Sequence, residues 1–544
     1  MKIYNLILLI LLIVSLSVRA NNSQLSEKID IPQTGWDKVL QMSNGNTFLF
    51  HFEARKPIVV KVFNPERKEI NSHRFIGELV DVVALENSEL HGIYEINGEA
   101  VIFISQAITN RNTLVALRFN GENGKLVKEH QLVASPSFQR KNDFSLVKNN
   151  VTGGYAVFCM KNLVVNPNET LNLLIFDEKH NLVRDIPVTV KTKDYDYTQH
   201  VSTTIGDDGS IVVLLDCKKI VHYPDDNDHY ITVCYVAPGD SVFSNAMTKL
   251  PKQLGPLYGV YTYNEFSSKL NVFLVNATTV LRNHGLQTLR EIVYTPFMLY
   301  YNKYNLGDMK YNPIQHARAN KMLQEATDTM HHTEPVPMRV YTNGFGINTV
   351  ISEENFMGVK FSNGNTVASC IGNIVVTKLG EDGREIWSEI LPKRQFLLNT
   401  LSVDELQLRG QKTYMFRRRD PISDWLYQFA SFYSFTTPKG DCYVIYNDMR
   451  SNFDHALTDA PYPMSSYTDN THLTNASAIC YKVTPRRESS KQYLLDGINT
   501  SILPGSVMVE SGDYNIKNNT YASLFVVMEN GENMLKLGWV KMDN

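Results

Sequence analysis

The densest grouping of residues able to do acid–base or metal chemistry is His331-His332-Thr-Glu334-Pro, with His284 and His316 not far away in sequence. Adjacent imidazoles diverge, whereas helical metal ligands need the i, i+4 spacing of HExxH. The group therefore reads first as polar loop histidines and second as a metal or acid–base site. Tyr223-Pro-Asp225-Asp226-Asn227-Asp228 gathers oxygens that calcium could use, but lacks the DxDxDG pattern and its closing Glu. Arg417-Arg418-Arg419-Asp420 ends the strand-like run TYMFRRR. Its guanidinium forks suit a carboxylate or phosphate, or a network of ion pairs at an exposed edge. Trp425, Tyr462 and Tyr467 offer rings for stacking a sugar or peptide, or for pinning their own loops. The expected partner-binding set is thus Arg417, Arg418, Arg419, Trp425, His331, His332, Tyr462 and Tyr467. No catalytic residue and no metal ligand is assigned.

Motifs that would declare a chemistry are missing from the sequence. There is no GxSxG elbow, GxGxxG, P-loop or HExxH, and no CxxC, so no cofactor is expected. Lys2, the apolar stretch Leu6 to Val18 and the small residues around Val18-Arg19-Ala20 resemble a signal peptide. Cleavage after Ala20 and export are expected, to a periplasmic, cell-surface or extracellular location; an uncleaved anchor is the alternative. The apolar stretch is shorter than the roughly 20 residues of a membrane-spanning helix, and no later segment is apolar enough to span. Losing Lys2 and Arg19 takes the basic residues from 53 to 51 against 56 acidic ones, a net charge of −5. That balance excludes the electrostatic footprint of a nucleic-acid binder.

What must position these residues is a repeated strand-turn-strand cassette. PIVVKVFNPERKEINSHRF, TLVALRFNGENGKLVKEHQL, LNLLIFDEKHNLVRDIPV and YITVCYVAPGDSVFSNAM place Phe63, Phe119, Phe176 and Tyr235 before the turn, at steps of 56, 57 and 59. Upstream of each lies a hairpin with a glycine turn: SNGNT (43–47), NGE (97–99), TGG (152–154) and DDGS (207–210). Such turns supply the positive φ of tight hairpins. A period of this size filled only with strands predicts an all-β propeller of four-stranded blades, strands A to D from the axis outward. SNGNT returns at 362–366 and is read as the A–B turn of blade 6; PKG (438–440) serves blade 7. The count is eight blades, or seven if the weak fifth unit is not a blade. The last unit lacks a D strand, and Ser26 to Ile31 is a spare extended segment, so this segment is expected to close the last blade. The expected organisation is a leader over 1–20 and one propeller domain over 21–544.

Loop length then gives a face. Short turns are all A–B or C–D, whereas the long segments 277–297, 304–348, 393–427 and 449–477 are B–C or D-to-A connections, which share the opposite face. Long loops on a rigid scaffold carry function. One of them holds a helix candidate, NPIQHARANKMLQEAT, with Pro313 in its first turn, and the group is expected to cap one side of the ring.

The six cysteines each sit in an apolar run, which reads as buried thiols; Cys217 with Cys234 is the pair a cross-strand bridge would join. EDGREIW (381–387) resembles the Asp/Gly turn followed by Trp of quinoprotein-type and other secreted bacterial propellers, a resemblance that covers one turn and implies architecture alone. The leading expectation is an exported, non-enzymatic propeller that binds a protein or glycan through its insertion-bearing face, as a monomer or within an envelope complex. A lyase or glycosidase on the same face and a structural scaffold of an envelope complex are the alternatives. Acidic and His or Tyr groups converging at the ring's mouth would favour an enzyme, an aromatic-rich flat cap a binder, and a broad apolar patch a scaffold.

Overall fold

The computed structural model describes residues 23–542 apart from 109–110, 135–143, 160–170, 189–196, 207, 220–227, 251–256, 265–268, 285–286, 303–304, 315, 328–334, 344–346, 361–366, 398–413, 416–426, 455–463, 466–474 and 496–501. The described strands form eight antiparallel sheets with a four-stranded core, arranged as a β-propeller. Seven sheets are blades built from consecutive strands. The eighth is composite: Ile502–Val507 and Asp513–Asn515 share its inner position, Thr520–Glu529 and Glu532–Lys541 follow, and Ser23–Leu25 pairs on the outside. Backbone bonds from Ser26 to Leu537 and from Ile29 to Leu535, both 2.8 Å, continue that pairing. The closing strand is therefore the expected one, entering three residues earlier than the sequence suggested.

Period-two alternation explains why the blades read as unbroken apolar runs. Phe48, Phe50 and Phe52 point into the core shared with blade 2, while Leu49 points into the core shared with the closing blade. Ala100, Ile102 and Ile104 face blade 1, whereas Val101 and Phe103 face blade 3. A strand sandwiched between two neighbours buries both faces, so alternation of polar and apolar residues vanishes. The outer strands keep one wet face, as in Glu69–Phe75 with Ile70 and Arg74 outward. The short turns share one geometry. Asn64 N–H donates to Lys68 O and Arg67 N–H to Asn64 O, and the same pair of bonds recurs from Asp177, Gly380 and Thr484. The fourth residue takes positive φ, which glycine supplies at Gly383 (78°) but Arg487 (71°) must adopt against its Cβ.

Three expectations are corrected. In blade 6 the inner strand is Val336–Thr342, the next Asn348–Lys360 and the third Val367–Leu379, so 362–366, outside the described residues, falls between the second and third strands and not between the first and second. A glycine turn signals a hairpin but not which hairpin. Residues 277–297 are largely the outer reach of one long hairpin, Lys269–His284 paired with Gln287–Asn302, rather than an irregular loop. The helix runs from Ala317 to Thr327, and Pro313 instead ends the outer strand of blade 5 opposite Phe297. Its Ala319 and Met322 pack on Val375 and Ile390, so the helix covers the flank of blade 6 instead of the ring's mouth.

Candidate functional site at the insertion-bearing face

All eight residues of the sequence-derived binding set (Arg417, Arg418, Arg419, Trp425, His331, His332, Tyr462 and Tyr467) lie outside the described residues. The flanking strands show where their segments attach. Gln395–Leu397 pairs with Ser369–Ile371 of blade 6 and, in parallel, with Met464–Ser465 from the B–C excursion of blade 7. Tyr414–Met415, from the same excursion as Gln395, pairs with Leu90 and Glu89 at the start of blade 2's inner strand. The segment between blades 6 and 7 is thus tied both to blade 6 and, halfway around the ring, to blade 2. His316, grouped with the cap histidines in sequence, is instead buried on the flank of blade 6 with Nδ1 3.1 Å from Thr377 Oγ1.

Beneath these attachments lies a layer of buried polar residues that sequence reading missed. Asp37 begins the inner strand of blade 1, and His51 and Glu53 sit at the end of the next strand, on the same face. The His51 ring is held between two carboxylates: Nδ1 lies 2.9 Å from Asp37 Oδ1 and Nε2 3.8 Å from Glu53 Oε2. Thr34 Oγ1 donates to Glu53 at 3.0 Å, and Lys56 pairs with its other oxygen at 2.7 Å. Burial pulls the His51 pKa down, but the Asp37 carboxylate, with Glu53 behind it, turns the net shift upward. Burial likewise raises Asp37 against the opposing pull of His51. An imidazole oriented by a carboxylate is the arrangement a general base uses. Here, however, His51 is 2% exposed and Asp37 wholly buried.

The second part of the layer joins blades 6, 7 and the closing blade. Lys393 Nζ stands 2.5 Å from Glu353 Oε1, and Ser431 Oγ donates to the other oxygen at 2.7 Å. Gln395 Oε1 accepts from Ser431 N–H at 2.8 Å, and its amide donates to Asn447 O at 2.9 Å. Asn447 bonds Phe429 O and both backbone groups of Val507. Gln428 carries the network to blade 1: its Oε1 accepts from Asp37 N–H at 2.8 Å and its amide donates to Gly35 O at 3.1 Å. Beside the layer, Glu354 accepts from Asn373 N–H at 2.9 Å, and burial pushes its carboxyl up to about 7. At the start of blade 2, His91 Nε2 lies 2.8 Å from Ser105 Oγ, and burial lowers its pKa to about 4.

The Glu353, Lys393, Gln395, Gln428 and Asn447 groups satisfy one another and the backbone, which is what an interior demands of polar atoms, whereas Asp37 Oδ2 and His51 Nε2 make no hydrogen bond. The layer welds the residue 427–431 segment, from which blade 7 begins, to blades 1, 6 and 7 and the closing blade. The available signal was a polar residue breaking an apolar strand at its end on this face: His51 in FLFHF, and Asn447 with Asp448 in CYVIYND. Among the described residues no group of three or more His, Cys, Asp or Glu is placed to hold a metal ion. No described helix is long and apolar enough to cross a membrane.

No family model and no curated protein matches the chain. Solved structures similar to it include a prolyl endopeptidase, with 11% identity and a TM-score of 0.38 over 91% of this chain and 55% of that one. Prolyl oligopeptidase B from Galerina marginata shows 8% identity and a TM-score of 0.36 over 94% and 55%. The α-L-arabinanase of Penicillium chrysogenum, complexed with arabinobiose, shows 12% identity and a TM-score of 0.30 over 68% of this chain and 96% of that one. The chain spans about half the length of the two prolyl peptidases.

Proposed function

We propose that the chain is an exported, non-enzymatic propeller that binds a protein or glycan through its insertion-bearing face. What supports this reading is that the excursions between blades 6 and 7 and within blade 7 are fastened to blades 6 and 2 by the short strands Gln395–Leu397, Met464–Ser465 and Tyr414–Met415. A fixed scaffold presenting long loops is how propeller-like folds vary recognition without altering their core. Arg and aromatic residues in those loops are the side chains that dominate binding hot spots. The test is capture of protein partners and of arrayed glycans by the wild type and by a variant carrying Trp425→Ala with Arg418→Ala. The pair should lose capture with little change in melting temperature, while Arg486→Ala with Glu488→Ala, exposed on the opposite face, should not. The turn pair Glu66 and Arg67 is a poorer control, because the Arg67 guanidinium stacks over Trp539 at 4.9 Å. Loss of capture in the Arg486/Glu488 variant with retention in the Trp425/Arg418 variant would reverse the assignment of faces.

A second reading, a carbohydrate-active enzyme, draws on the convergence of Asp37, His51 and Glu53 in the buried layer at this end of blade 1. Turnover of glycans by the wild type, abolished in His51→Asn, would establish it; binding without turnover supports the first reading.

A further inference from the structure

Eleven large apolar side chains stand exposed among the described residues, and eight of them lie on the face opposite the insertions. They are Ile70, Leu126, Val127, Leu182, Val183 and Val242, with Val151 and Ile516 in A–B turns. The first six repeat with the blades. Strand register makes Ile70, Val127 and Val183 equivalent, each one residue past the position paired with Phe63, Phe119 or Phe176, while Val242 lies in the blade 4 turn, two residues before Ser244, which pairs with Tyr235. Each follows a short C–D turn, at or just before the start of an outer strand. Exposure is 44% at Ile70, 50% at Val127, 58% at Val183 and 74% at Val242. Equivalent positions on a ring lie in one plane normal to its axis, so a flat surface meets Ile70, Val127 and Val183 at once, with Val242 in the turn of the next blade. Single exposed aliphatics are ordinary, but a coplanar arc of them on consecutive blades is a patch.

The path of the chain says which surface. Ser23 lies opposite Val540, near the end of a strand that runs toward this same face. Residues before Ser23 therefore join the fold here, and in the uncleaved-anchor alternative they include the apolar stretch Leu6 to Val18. Only residues 19–22 separate the two, a reach of about 13 Å when extended. The adjoining turns carry both signs of charge, Lys68, Lys125 and Lys179 among Glu66, Glu122 and Glu178, which suits zwitterionic headgroups better than a strongly charged partner. We propose that this face lies against a lipid bilayer surface, its aliphatic arc set into the headgroup boundary and the insertions directed outward. Interfacial binding of this kind scales with the apolar area inserted.

The test is flotation on phosphatidylcholine vesicles of the full chain, of residues 21–544, and of residues 21–544 carrying Ile70→Glu, Val127→Glu, Val183→Glu and Val242→Glu. Residues 21–544 should float, and the Glu variant should lose roughly tenfold in bound fraction. A parallel variant with Thr at the four positions keeps strand propensity and should lose several-fold, which separates lost insertion from lost folding. The Trp425/Arg418 variant should float like its parent. The proposal is overturned if residues 21–544 stay with the aqueous phase, since any flotation of the full chain would then come from residues 1–20 alone. It is equally overturned if the Glu and Thr variants float undiminished, if flotation needs added phosphatidylglycerol and ignores the arc, or if the arc proves to capture a protein and no vesicle.

Discussion

Lys393 Nζ and Glu353 Oε1 are 2.5 Å apart, and neither side chain has any exposed surface. The pair links the connection leaving blade 6 to that blade's second strand, and Ser431 brings in the segment entering blade 7. Two charges so far from water persist because each has several partners.

Truncating one member should therefore cost far more than replacing both. Lys393→Ala strands the Glu353 carboxylate and should destabilise by about 3–5 kcal/mol. Lys393→Met combined with Glu353→Gln removes both charges while keeping volume and the acceptor for Ser431, and should cost less than either single truncation. Denaturant melts of Lys393→Met, Glu353→Gln and the double close the thermodynamic cycle. Additive losses would show that the pair is not coupled.

Glu354 gives stability a pH dependence of definite sign. Its usual carboxyl pKa of 4.5 is raised to about 7 in the fold, chiefly by burial. The folded form thus holds a proton that the unfolded chain has already released between these values, and stability falls as pH rises through that window. Glu354→Gln should stabilise at pH 8 by about 1–3 kcal/mol and change nothing below pH 4. His91 acts the other way: lowered from 6.5 to about 4 by burial, it removes stability as pH falls through that range. An equal effect of Glu354→Gln at both pH extremes would refute the assignment.

Closure of the ring rests on few residues. Deleting 21–34 removes Ser23–Leu25 and the buried Ile29 and Ile31 from the outer edge of Glu532–Lys541. The uncovered edge should self-associate, seen as concentration-dependent light scattering and a lowered melting temperature. Ile29→Pro is a finer probe. It removes the N–H that bonds Leu535 O at 2.8 Å and should cost about 1–3 kcal/mol.

Thiol chemistry follows from strand register. Val213 lies opposite Cys234, and Cys217 lies opposite Tyr230, so the two cysteines do not face each other across the sheet. Cys159, Cys217, Cys234, Cys442 and Cys480 are in no disulfide, and Cys217 Sγ is near the hydroxyls of Thr198 and Thr232 at 3.8 and 3.5 Å. Burial pushes the Cys234 and Cys442 thiols up to about 12, which keeps them unreactive. Unfolding without reductant should release six titratable thiols, one for each cysteine in the sequence; four or fewer would mean that bridges form.

What the sequence made legible was whatever is written locally. The Phe63, Phe119, Phe176 and Tyr235 spacing, the Asn-Gly and Asp-Gly turns, and the spare segment near Ser26 each depend on neighbours in the chain. The strands of blade 6 were misassigned because an Asn-Gly pair such as Asn363-Gly364 marks a turn without saying which two strands it joins. Pro313 suits a strand end as well as a helix start. The polar layer stayed hidden because its contacts are long-range: Asp37 and Gln428 meet across 391 positions, Glu353 and Lys393 across 40. No local pattern encodes such a meeting, although polar residues closing apolar strands pointed to the right end of the blades.

Gln428 tests whether that layer seats the insertions or merely fills space. Its side chain satisfies Asp37 N–H and Gly35 O on blade 1, while its backbone oxygen accepts from Glu510 N–H at 3.2 Å. Gln428→Ala leaves the two blade 1 backbone groups buried without partners, a loss of about 2–4 kcal/mol. Gln428→Leu fills nearly the same volume but restores neither bond, so it should lose about as much. If packing alone mattered, Leu would recover most of the stability lost in Ala. Hydrogen exchange separates these outcomes further. Loss of the polar bonds should speed exchange at Asp37 and around residues 427–431 in both variants, while leaving blades 3 and 4 as protected as in the parent. Equal protection at Asp37 in the parent and in Gln428→Leu would show that the layer does not hold this segment to blade 1.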